Sequence, residues 1–152
     1  MTAKTEANAQ VLSGSRIPKA FLIALGFNFL WINASEIWRY LFVIKPLLVE
    51  AFPDDPSIAP FDLATFAIWS LWDLILVTGA TGFYWIYLAF TGPNIRQAIL
   101  AASCFTVTIF GLIWIGIYNM GFAPAHFIWV ALPLAWIEQV VAALIVFRFA
   151  PK

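Results

Sequence analysis

The chain has 152 residues, 63% of them hydrophobic and only 11% charged, with eight Lys/Arg balancing eight Asp/Glu, and its mean hydropathy is +0.91. Soluble domains carry about 25% charged residues, so this composition excludes a water-soluble globule, a disordered chain and a nucleic-acid binder, and a single Cys excludes an internal disulfide. It predicts an all-α integral membrane protein.

In chain order, residues 1–17, which include Lys4, Glu6, Asn8 and Gln10, read as a flexible polar tail ahead of a transmembrane domain at 18–152. A spanning helix needs about 20 apolar residues, and the runs at about 19–50, 64–90, 95–120 and 125–148 supply four of them. The first is too long for a cleaved signal peptide and is expected to be retained. Between the first two spans Pro53, Pro56 and Pro60 alternate with Glu50, Asp54, Asp55 and Asp62, which stops any helix and leaves Asp62 to cap the second span. Gly92 and Pro93 end that span, and Asn94 with Gln97 reads as a capping box for the third. Gly121 and Pro124 separate the third span from the fourth. Connections this short make neighbouring spans antiparallel, so the expected fold is an antiparallel four-helix transmembrane bundle.

Basic residues near span ends favour the cytoplasmic face. Lys4, Arg16, Lys19, Arg96, Arg148 and Lys152 fall on one side and Lys45 alone on the other, which predicts both termini in the cytoplasm and residence in the cell (plasma or inner) membrane.

Four charges then remain inside the spans: Glu36, Arg39, Asp73 and Glu138. Each costs on the order of 3 kcal/mol at a helix centre, so they are expected to turn inward and compensate one another. At 100° per residue, Asn28, Asn33, Ser35, Glu36, Arg39 and Tyr40 share half of the first span. Trp69, Ser70, Asp73, Thr81, Tyr84 and Tyr87 share a sector of the second, while Cys104, Thr108, Gly111, Tyr118 and Asn119 form a loose polar edge on the third. In the fourth, Ala131, Ala135, Glu138 and Ala142 make a narrow stripe of the kind that lets a neighbouring helix approach closely, with Gln139 beside it. Pro133 should kink that span.

Glu36 and Arg39 stand three residues apart and can pair, leaving an excess of carboxylates. Glu138, deep and without a basic residue on its own helix, is the expected proton carrier. The ligand-binding or proton-coupling set is therefore Glu36, Arg39, Asp73 and Glu138, lined by Asn33, Tyr40, Trp72, Asn119, Trp136 and Gln139. Trp69, Trp85 and Trp129 fit an interfacial belt, and aromatic rings beside carboxylates suit an organic cation. A lone His126 reads as an interface residue. No cysteine pair, histidine cluster, phosphate loop or nucleophile–base arrangement is present, so no metal, cofactor or enzymatic activity is expected.

The resulting expectation is a small multi-pass protein whose partners are the lipid bilayer and a small cationic or amphipathic ligand, bound or translocated, with proton coupling as an added feature. The alternative is a non-catalytic accessory subunit, assembled as a homo-oligomer or with a partner membrane subunit and in contact with pigment or lipid.

Overall fold

In the computed structural model, which describes residues 17–55 and 62–150, four helices are long and apolar enough to cross a membrane: α1 (Lys19–Ala51), α2 (Leu63–Thr91), α3 (Ile95–Asn119) and α4 (His126–Phe149). Their limits fall within a residue of the expected spans, because the same Gly, Pro and Asx residues that break the hydropathy also end the helices. The expected polar tail and the middle of the first connection lie outside the described residues.

The caps explain the boundaries. Asp62 Oδ1 accepts from the Thr65 amide at 2.9 Å and Asn94 Oδ1 from the Gln97 amide at 2.9 Å, each satisfying an orphan donor of a first turn. The reciprocal half of the Asn94–Gln97 box does not form. The Gln97 side chain instead accepts from the Tyr87 hydroxyl at 3.0 Å, tying α3 back to α2 across their tight connection. At the end of α3, Gly121 takes φ of 76°, and the amides of Gly121 and Phe122 reach the Tyr118 and Ile117 carbonyls, a Schellman closure that a residue with a Cβ adopts only under strain.

The Thr65 amide holds the exposed Asp62 carboxyl below the usual carboxylate range. A lowered carboxyl value in the folded state stabilises above the unfolded value and is lost as the pH falls through the folded one. The protection of the Thr65 amide, with exchange referred to its intrinsic rate at each pH, should therefore fall on acidification in the protein itself and be low already at neutral pH in Asp62→Ala; equal protection in the two proteins at neutral pH would show that the cap holds nothing.

Two helices depart from regular α geometry: α1 passes through a π-turn at Tyr40–Ile44 and α3 through another at Thr106–Gly111. In α1 the cause is Pro46, which has no amide hydrogen and crowds the carbonyl one turn back, so the ladder widens just before it. In α3 the Thr106 hydroxyl donates to the Ala102 carbonyl at 2.8 Å and the Thr108 hydroxyl to the Cys104 carbonyl at 2.7 Å, drawing acceptors away from the main-chain ladder. By contrast α4 remains one continuous helix through Pro133.

Helix α4 packs along α1, α2 and α3, and α2 packs along α1 and α3, the arrangement of an antiparallel bundle with α2 and α4 close across the diagonal. Small side chains fill its centre: Ala98, Ala101 and Ala102 on α3 and Ala131, Ala135 and Ala142 on α4 are buried. Large apolar groups such as Leu30, Phe42, Ile68 and Phe90 face outward. Lipid tails are as apolar as Leu, so no hydrophobic force draws large side chains inward, and close backbone packing decides the interior. The same rule corrects the reading of α3. Of that polar edge Cys104, Thr108, Tyr118 and Asn119 are exposed while Gly111 is buried, and the alanine face with Phe105 and Phe110 turns inward.

Candidate functional site

Near the middle of the bundle the intramembrane charges meet. Glu36 and Arg39 lie one turn apart on α1, and Arg39 Nη2 contacts Glu36 Oε1 at 3.0 Å. The other arm of the guanidinium, Nη1, reaches Glu138 Oε2 on α4 at 3.2 Å. Arg39 thus links two acids that are far apart in sequence, and the Phe110 ring from the π-turn of α3 stands 6.0 Å from its Cζ, close enough for a cation–π contact.

Glu138 is the most enclosed member, its side chain 0% exposed against 15% for Glu36 and 14% for Arg39. Its second oxygen accepts from Gln139 Nε2 at 3.1 Å, and Gln139 Oε1 accepts from the buried Tyr84 hydroxyl at 2.7 Å. The main-chain carbonyl of Glu138 takes the Trp31 indole N–H at 3.0 Å. Both carboxyl oxygens therefore face donors, one of them a cation.

Asp73 of α2 is buried and stands beside Glu36. The cluster thus gathers Arg39, its two partners Glu36 and Glu138, and a third acid, Asp73.

A cavity of about 240 Å³ opens beside Glu36, bounded by Glu36, Arg39 and Tyr40 from α1, Trp69 and Trp72 from α2, and Phe110 and Trp114 from α3. It lies toward the end of the bundle that carries the α1–α2 and α3–α4 connections, and both π-turns contribute to its wall. Tyr40 and Trp69 meet edge to face with centroids 4.5 Å apart. Trp69, read from the sequence as a belt residue, is part of the wall.

The remaining expected residues divide. Tyr40 and Trp72 line the cavity, and Gln139 supports Glu138 from behind. Asn33 donates to the Phe29 carbonyl of its own helix at 2.8 Å and is not part of that wall. Asn119 is exposed near the end of α3. Trp136 turns away to donate to Ser103 Oγ at 2.9 Å. All three were placed by polarity or by adjacency to an acid, and neither property says which helix a side chain meets. His126 is the exposed first residue of α4. Trp31, Phe110 and Trp114 also contribute, and neither charge nor polarity marks them in the sequence, although their depth in the spans was a usable signal. Among the described residues no group of three or more His, Cys, Asp or Glu is arranged to hold a metal ion.

Neither a protein-family model, nor a curated protein, nor a solved structure matches this chain.

Proposed function

We propose that this membrane protein binds a small organic cation in the aromatic cavity and exchanges it for the proton shared by Glu36 and Asp73. The observation that carries this reading is the cavity itself: the Glu36 carboxyl in its wall, with Asp73 behind it, and five aromatic residues around it. Aromatic faces and a carboxylate together replace the hydration shell of a quaternary or alkylated ammonium. Arg39 does not oppose such a ligand, since its charge is already spread over Glu36 and Glu138. A volume of about 240 Å³ is below the range of about 300–1,000 Å³ typical of drug-sized ligands, which favours a compact cation. The basic residues Lys19, Arg96 and Arg148 mark the opposite end of the bundle as cytoplasmic, so the cavity faces away from the cytoplasm of the cell membrane and both termini lie inside.

The test uses the full chain in lipid nanodiscs with tetramethylammonium as probe. Saturable binding is expected by calorimetry, with protons released into a weakly buffered medium and with affinity falling as the pH is lowered. Asp73→Asn should abolish the proton release and the pH dependence together. Absence of saturable binding, or binding without any proton release, would remove this reading.

A further inference from the structure

Arg39 also borders a second cavity. On the α1–α4 side a groove of about 440 Å³ runs between Trp31, Ala34 and Trp38 of α1 and Leu134 and Ile137 of α4, with Arg39 and Glu138 at its base. Its rim is open: Trp38 is 51% and Ile137 52% exposed, and Ala34 is exposed between the two tryptophans. These residues sit near the middle of both helices, so the groove faces the hydrocarbon of the bilayer rather than water. A ligand can reach it only from within the membrane.

The charges at the base specify what such a ligand must carry. Glu138 has its side chain sealed beneath Arg39, and Arg39 divides its two arms between Glu138 on this side and Glu36 on the aromatic side. A cation arriving in the groove can take over Nη1's place at Glu138, after which the guanidinium is free to pair with Glu36 through both arms. A cation arriving in the aromatic cavity can do the reverse. Entry into the aromatic cavity releases the proton and keeps the charge of the cluster, entry into the groove adds one positive charge to it, and each leaves Arg39 committed to the other acid.

We infer that the α1–α4 groove is a second site, for the head and first methylenes of a long-chain ammonium amphiphile drawn from the bilayer, and that Arg39 makes its occupancy and that of the aromatic cavity mutually exclusive. The indole rings of Trp31 and Trp38 receive the head, and the tail leaves between Trp38 and Ile137 into lipid. The exclusivity rests on the proposed cation site; the groove itself does not.

The experiment compares dodecyltrimethylammonium, below its micellar concentration, with tetramethylammonium, both on protein nanodiscs and on empty ones. The native protein is expected to bind the long-chain probe saturably above the empty discs, and each probe should weaken the other. Ala34→Leu fills the notch between the tryptophans and should lower long-chain affinity at least tenfold while tetramethylammonium binding is unchanged, which also shows that the variant is folded. Trp38→Ala, on the exposed rim, should lower the same affinity without altering the bundle. Unchanged long-chain binding in both variants overturns the groove site, and so does a change of particle mass on Ala34→Leu, which would make the groove an interface between two copies. Independent binding of the two probes overturns the coupling through Arg39. If tetramethylammonium fails to bind the native protein but the long-chain probe binds with sensitivity to Ala34→Leu, the proposed function falls and the groove stands.

Discussion

Arg39→Met should destabilise the bundle by about 3–5 kcal/mol, the usual cost of removing one partner from a buried ion pair and leaving the other charge uncompensated. The reason lies in Glu138, whose carboxylate is sealed from solvent and has Arg39 as its cationic partner at 3.2 Å. Adding Glu138→Gln should return most of that loss, because a neutral amide of the same shape keeps the packing and has no charge to compensate. Unfolding of the two single variants and the double variant in the same nanodiscs gives the coupling directly. A loss below about 1 kcal/mol in Arg39→Met, in the range of exposed pairs, would mean that Glu138 is not held as a carboxylate. The double variant should also lose the competition between cations, since it retains no guanidinium to move.

Ala142→Leu is the second large effect. Ala142 is 0% exposed and belongs to a core built largely of alanines, where helix backbones are close and there is little room for an added isobutyl group. Overpacking of this kind costs about 1–3 kcal/mol, and the outward displacement of α4 should also lengthen the contact between Arg39 and Glu138. The same substitution at Ala34, exposed on α1, should leave stability within about 0.5 kcal/mol. The contrast between two Ala→Leu changes in one protein separates a tightly packed interior from a site that accepts volume, and comparable losses at both positions would contradict the packing described.

How far such behaviour can be read before folding is considered depends on the residue. The four spans and their ends are local properties: about 20 apolar residues demand a spanning helix, and Asp62, Gly92, Asn94 and Gly121 act through the backbone within a few positions of themselves. The Glu36–Arg39 contact is also local, since residues three apart on a helix are neighbours. The inward direction of the Ala131, Ala135, Glu138 and Ala142 stripe follows from helical spacing together with the absence of a hydrophobic force between helices in lipid. All of this was legible.

Other features were not. A helical wheel says which side of a helix a residue occupies but not which neighbour stands there, so Asn119 and Trp136 were assigned to a site that they do not reach. The π-turns shift the register after Tyr40 and Thr106, and with it the direction of every following side chain. The third span has no intramembrane charge to orient it, and its inward face was decided by which of its sides lets α4 come closest. The partners of Glu138 were hidden for a related reason: its depth was legible, but the donors that face its carboxyl come from Arg39 on another helix and from Gln139, itself engaged by Tyr84.

The amino-acid sequence alone determined that this is a four-span membrane protein, where its helices begin and end, and that Glu36, Arg39, Asp73 and Glu138 must turn away from lipid, because those outcomes follow from short-range backbone chemistry and from the cost of charge in hydrocarbon. Only the tertiary structure decided that Arg39 bridges Glu36 to Glu138, that Asp73 meets Glu36, and that a cavity lies on either side of the bridge. Those contacts depend on distances between helices, and such distances are set by the packing of all four at once.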